Sequence, residues 1–228
     1  MTEKIKVNGF YIGQYPSMDA LVGEVSVKKG LYIALNFEKL VTGDEYLRNL
    51  SERHVTYSDG EGAVWASSYH GGSAIKLAGV DFWLELLKKY EGSKTFYFIG
   101  GTESVICRTV SKACAQFPSA NILGHRNGFM NETEMIQLRD DVVNLKPDII
   151  FVAMGSPKQE MLMNNFNQHH EAVYVGLGGS FDVFVGEVKR APPLFILFRC
   201  EWLYRVLKDY RRVPRLLKMV RNAKNLFC

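Results

Sequence analysis

The sequence predicts an α/β fold organised around a doubly wound, mostly parallel sheet. Three observations predict it: short apolar runs of β-type composition, helical periodicity in the stretches between them, and Gly-rich polar segments directly after the runs. With 228 residues, 47% hydrophobic and 23% charged, the chain is long enough to bury a full core and to carry an appendage besides.

Residues 31–35, 54–57, 95–99, 120–123, 148–153 and 172–175 read as strands, the best of them apolar at every position, as strands buried on both faces are. Helical periodicity fills the intervals at 37–50, 80–90, 102–117, 132–145 and 158–168. No internal repeat and no low-complexity linker interrupts the order. One composition shift stands at about Val188 to Pro193, where Pro192-Pro193 stops any helix. The expected division is a catalytic or binding α/β unit over 1–190 and a basic amphipathic helical appendage over 191–228.

Charge separates the two parts sharply. Residues 189–228 carry eleven Lys or Arg against Glu201 and Asp209, a formal +9 that leaves −5 on the rest of a chain whose total is +4. Such asymmetry points to an anionic partner for the tail. Trp202, Val206 and Tyr210 share a helical face while Arg205, Lys208, Arg211 and Arg212 lie largely elsewhere, a pattern suited to a lipid interface. At roughly 1 kcal/mol per basic residue near an anionic leaflet, the tail is a usable anchor. A terminal helix packed on the core with a solvated basic face explains the same pattern, and the tail alone leaves both open. Nucleic acid is a weaker partner, because no nucleic-acid motif accompanies the charge.

Several classes are disfavoured. No stretch approaches the roughly 18 apolar residues of a membrane-spanning helix, and Met1-Thr2-Glu3-Lys4-Ile5-Lys6 lacks a signal peptide's apolar segment, so a cytoplasmic location is expected. The four cysteines form no C-x-x-C pair and the five histidines no H-E-x-x-H, so reduced thiols and no metal site are expected.

In open α/β sheets ligands bind beyond the carboxyl ends of the strands. The segments there are Asn36-Phe37-Glu38, Ser58-Asp59-Gly60-Glu61-Gly62, Gly100-Gly101-Thr102-Glu103, Gly124-His125-Arg126-Asn127-Gly128, Gly155-Ser156-Pro157-Lys158-Gln159-Glu160 and Gly178-Gly179-Ser180-Phe181-Asp182. Glycine lets a ligand approach the backbone, and helix-start N–H groups favour phosphate. Any one such turn is explained by chain reversal and capping; the set together points to a nucleotide-like, phosphate-bearing ligand. No G-x-x-x-x-G-K-[ST] occurs, and Phe98-Ile99-Gly100-Gly101-Thr102-Glu103 is not G-x-G-x-x-G, which disfavours a Walker NTPase and a nicotinamide oxidoreductase. No D-x-D pair is present to hold a metal on a diphosphate. A departing diphosphate would then rely on cations such as Lys158, Lys189 and Arg190 and on helix N-termini.

Ser58-Asp59-Gly60, Ala78-Gly79-Val80-Asp81-Phe82, Phe98-Ile99-Gly100-Gly101, Lys146-Pro147-Asp148, the runs 152–160 and 175–184, Gly186-Glu187-Val188-Lys189-Arg190-Ala191-Pro192 and Glu201-Trp202-Leu203-Tyr204-Arg205 together resemble the WecG/TagA/CpsF family of bacterial glycosyltransferases, in order and over nearly the whole chain. The resemblance implies a Rossmann-like catalytic fold. It further implies inverting, metal-independent transfer of N-acetylmannosamine, its uronic acid or a related sugar from a UDP-sugar to a polyprenyl-diphosphate-linked acceptor, at the inner face of the cell membrane. No cofactor is implied beyond the donor itself.

The same resemblance implies roles by position. Asp59 falls on the family's proposed general base, Asn36 on a pocket Asn and Gln159 on a pocket amide. Gly100, Gly101, Gly155, Pro157, Lys158, Gly178, Gly179, Asp182, Lys189 and Arg190 fall in the donor-binding blocks. Ala34 stands where one branch has Thr, and Lys76 where the family has Arg, which keeps charge but loses the bidentate fork. The tail is implied to dock on the membrane and to close arginines over the site, with Arg205, Arg212, Arg215 and Arg221 as the candidates. A catalytically idle module binding UDP-sugar and membrane is the first rival reading, and a nucleotide-dependent oxidoreductase the second. A homo-oligomer is left open.

Overall fold

The computed structural model describes residues 2–188, Pro192 and 213–226. The chain opens with an antiparallel hairpin, β1 (Lys4–Val7) and β2 (Phe10–Gly13). Asn8 and Gly9 make its turn with φ of 45° and 81°, the positive-φ pair that matches strand twist. Helix α1 (Met18–Glu24) follows, then β3 (Gly30–Leu35), α2 (Phe37–Thr42), α3 (Glu45–Arg53), β4 (Val55–Ser58) and α4 (Glu61–Tyr69). Next come α5 (Gly79–Tyr90), β5 (Thr95–Gly100), α6 (Glu103–Gln116), β6 (Asn121–Arg126) and α7 (Glu132–Leu145). The body ends with β7 (Ile149–Ala153), α8 (Lys158–Asn167), β8 (Val173–Gly176) and α9 (Ser180–Phe184), and a C-terminal helix α10 (Val213–Asn222) runs into a 3₁₀ turn at Ala223–Leu226.

Six strands form one sheet in the order β4-β3-β8-β7-β5-β6, every pair parallel. All six expected strands are present, and the doubly wound α/β architecture is the one the sequence predicts. Side chains alternate between two cores, as a strand's period of two requires. On one face Phe96, Phe98 and Phe151 meet Trp83 of α5 and Phe181 of α9; on the other Ile33, Ile99, Ile150 and Val152 meet α2, α3, α7 and α8. Trp83 is the hub of the first core, edge-on to Phe98, Phe151, Phe181 and Phe184 at 4.9–6.1 Å. Such pairs add about 0.5–1.5 kcal/mol each beyond area burial.

The helix expected over 37–50 is two helices. A Cβ at Gly43 would lie 2.4 Å from both the Lys39 carbonyl oxygen and Phe10 Cζ, so the chain turns there, and Asp44 restarts it by accepting from Leu47 N at 3.0 Å. The β1–β2 hairpin, α1, α4 and α9 were not expected.

The tail divides. Residues 193–212 lie outside the described residues. Beyond them α10 packs against α2, Leu226 is fully buried in the second core, and His70 Nε2 stands 2.7 Å from the Leu226 carbonyl oxygen. Val213 and Leu217 face solvent. Among the described residues no helix is long and apolar enough to cross a membrane.

Candidate active site

The sheet brings the expected loops to one rim. From β4 outward the carboxyl ends present Asp59, Asn36 (after β3), Gly178-Gly179 (after β8), Gly155 to Lys158 (after β7) and Gly100-Gly101 (after β5). The direction of winding reverses between two parallel neighbours, β5, whose connection leads outward to β6, and β7, whose connection leads back to β8. That switch point is where open sheets bind ligands. At about 4.8 Å per strand, Asp59 and the β7 loop are three spacings, roughly 14 Å, apart, a span for an extended ligand.

Asp59 is half-buried one residue past β4. Its N–H donates to the Leu35 carbonyl at 2.8 Å, and its Oδ1 accepts from Gly79 N, the first residue of α5, at 3.3 Å. The carboxylate thus sits on a helix N-terminus, where negative charge is stabilised. Beneath it Tyr57 is fully buried, and its hydroxyl has no hydrogen-bond partner among the described residues. Burial, with the Asp59 and Glu160 carboxylates adding to it, pushes that phenol well above its ordinary value.

Asn36 caps α2, its Oδ1 accepting from Lys39 N at 2.9 Å. Gln159 is placed differently from an open pocket amide. It is 2% exposed, its Oε1 accepts from Gly178 N at 2.9 Å and its Nε2 donates to Glu160 Oε1 at 2.9 Å. Gln159 therefore ties the β7 loop to the β8 loop from below.

Glu160 carries that tie further. Lys39 Nζ donates to Glu160 Oε1 at 2.8 Å and to the Ala34 carbonyl at 2.8 Å, both side chains almost wholly out of solvent. Burial raises the Glu160 carboxyl, but the Lys39 charge and the hydrogen bonds from Lys39, Gln159 and Ser156 outweigh it and hold the group below its ordinary value. The rims after β3, β7 and β8 thus rest on one buried polar network. Lys39 and Glu160 were not among the expected site residues, and only Glu160's place beside Gln159 signalled either.

The glycines split into two kinds. A Cβ on Gly100, at φ 134°, would come within 2.2 Å of the Ala153 carbonyl oxygen, so β5 and β7 meet too closely for a side chain. Gly101 N donates to the same carbonyl at 3.1 Å. Gly155 and Gly178, at φ 76° and 60°, have nothing within 4 Å of an added Cβ, so there backbone conformation demands glycine and the space above is open. After Gly155 comes a cis Ser156-Pro157 bond. Helix α8 then begins with no side-chain cap beside the exposed Lys158, its Gln159 N–H donating to the Gly155 carbonyl at 2.9 Å, and the positive end of a helix beside a lysine suits phosphate. Gly179 is the N-cap position of α9 and Asp182 stands in its first turn. Lys76 is half-buried between α4 and α5.

Residues 7–227 match the family described as the glycosyl transferase WecG/TagA/CpsF family. The chain belongs to the WecG/TagA/CpsF family. It is thus a glycosyltransferase of a family of cell-envelope polysaccharide synthesis, acting on a sugar donor and an acceptor. Lys189, Arg190, Arg205 and Arg212 lie outside the described residues; Arg215 and Arg221 are on α10, with Arg221 exposed and nothing described of the Arg215 side chain.

At the outer end of the same rim, past β5 and at the end of the edge strand β6, Glu103, Cys107 and His125 group their ligand atoms within 4.8 Å of one another, a cluster the linear motifs did not show. Hydrogen bonds from Asn127 and Cys107 hold Glu103 below its ordinary carboxylate value. Desolvation and the neighbouring Glu103 push the Cys107 thiol up.

Proposed function

We propose that this family member transfers N-acetylmannosamine, its uronic acid or a related sugar from a UDP-sugar to a polyprenyl-diphosphate-linked acceptor, with inversion and without a catalytic metal. The observation that carries the reading is the Asp59 carboxylate, fixed at the end of β4 by Gly79 N in a chain of this family. A carboxylate there can take the acceptor hydroxyl's proton as the new C1–O bond forms and UDP departs from the opposite face. The Asn36 amide orients the sugar. The open backbone at Gly155 and Gly178 and the uncapped start of α8 receive the diphosphate, and Lys158, Lys76, Lys189 and Arg190 supply cations for the charge that grows on the leaving group.

The lipid acceptor and the basic tail would then share one surface. Arginines from 205 to 221 are the candidates to close over the donor while Trp202 and its apolar neighbours meet an anionic inner leaflet. A screen for UDP release across UDP-sugars, with a lipid-linked acceptor and with EDTA present, tests this reading. Acceptor-dependent release of UDP from an N-acetylmannosamine-type donor, undiminished by EDTA, is the expected result. Abolition by EDTA with rescue by a divalent ion contradicts the metal-free step, and release from no UDP-sugar contradicts the donor class.

A further inference from the structure

We propose that Glu103, Cys107 and His125 bind one soft divalent metal ion, zinc(II) by their ligand chemistry, at the outer edge of the sheet. Glu103 and Cys107 stand one turn apart on α6, and His125 projects from the edge strand β6 beside it. Cys107 Sγ lies 3.5 Å from Glu103 Oε1 and 3.9 Å from His125 Nε2. A tetrahedral zinc with bonds of about 2.3 Å to sulfur and 2.0–2.1 Å to oxygen and nitrogen has S···O edges of about 3.5 Å and S···N edges of about 3.6 Å. The first edge is already met, and the second needs a few tenths of an ångström from an exposed imidazole.

The carboxylate is also pre-oriented. Asn127 Nδ2 donates to Glu103 Oε2 at 2.6 Å, which turns Oε1 toward the sulfur, the kind of outer support that fixes metal ligands. The neighbouring cation Arg126 is engaged by Glu134. Three protein ligands on exposed side chains leave a fourth position for water, and a thiolate with an imidazole favours zinc over magnesium, calcium or manganese. On binding, the Cys107 thiol releases its proton to solvent as the metal–sulfur bond forms. The ion would clamp α6 to β6 next to the Gly100-Gly101 turn and at the opposite end of the sheet from Asp59, and its test reads metal ligation rather than sugar transfer, so it stands or falls independently of the proposed function. The spacing hid it because His125 follows Cys107 by 18 residues.

Cobalt(II) titration of the full chain, stripped with EDTA and kept reduced by a non-thiol reductant, tests the site, since a cobalt–thiolate charge-transfer band reports sulfur ligation. One equivalent is expected to raise the band, and zinc to displace it. Cys107→Ser and His125→Ala should abolish it, and Asn127→Ala should weaken binding about 10–100-fold. Cys114→Ser, an exposed thiol on the same helix outside the cluster, should leave it intact. Circular dichroism of each variant checks that the fold survives. No band in the wild type, or a band that survives Cys107→Ser or disappears with Cys114→Ser, overturns the proposal.

Discussion

Replacing Lys39 with Met isolates the buried network beneath the active-site rim. The ion pair to Glu160 is 2.8 Å long, with the two side chains 10% and 0% exposed. Met keeps most of the volume but leaves the carboxylate buried without its cation and the Ala34 carbonyl without its donor. Breaking a buried pair from one side costs about 3–5 kcal/mol, a large share of the 5–15 kcal/mol typical of a domain. At about 2–4 °C per kcal/mol for a chain of this size, the melting temperature should fall by about 6–20 °C. Thermal denaturation followed by circular dichroism measures this, with Glu160→Leu and the double variant completing a cycle. The two single losses should exceed the double loss by about 0.5–3 kcal/mol, because the partners share one interaction. A Lys39→Met variant within about 1 kcal/mol of wild type, or strictly additive losses, would refute the claim that this pair braces the β3, β7 and β8 loops.

Acid should destabilise the fold through His54, whose ring accepts from Leu31 N at 3.4 Å. Burial, reinforced by Arg53, Lys4 and Lys28, lowers its pKa from 6.5 to about 4. The unfolded chain therefore takes up this proton first, so stability present above pH 6.5 is lost as pH falls toward 4. His54→Asn should flatten that part of the melting-temperature profile, and an unchanged slope would remove His54 as the cause. A chain ending at Pro193 should keep its sheet yet melt lower, since a buried Leu226 contributes about 1.5–3 kcal/mol, and it should no longer co-sediment with anionic vesicles. Unfolding would make the tail part of the core, and undiminished sedimentation would put the membrane contact elsewhere.

The sheet was legible because its strands are buried on both faces and so read as unbroken apolar runs, as in Ile149–Ala153. The first hairpin was not, although Asn8-Gly9 marks its turn, because Lys4–Val7 is only partly buried and has too few apolar residues to read as a strand. Helix α4 hides behind Gly62, Ser67 and Ser68, which give it almost no apolar stripe. Within the candidate site, the place of Asp59, Asn36 and the glycine turns at the strand ends was legible from their position after the apolar runs. Lys39 and Glu160 could not be paired, since 121 residues separate them and only the parallel crossover brings α2 beside α8.

The Asp59→Asn variant, assayed for transfer to a lipid-linked acceptor alongside its affinity for UDP, tests the central claim most directly. Asn keeps the size and an acceptor for Gly79 N but is no base. If Asp59 takes the acceptor's proton, turnover should fall about 10²–10⁴-fold while UDP affinity stays nearly intact, because the lost interaction belongs to the transition state. Turnover within a factor of a few of wild type would contradict the account and leave the β4 carboxylate a structural cap on α5.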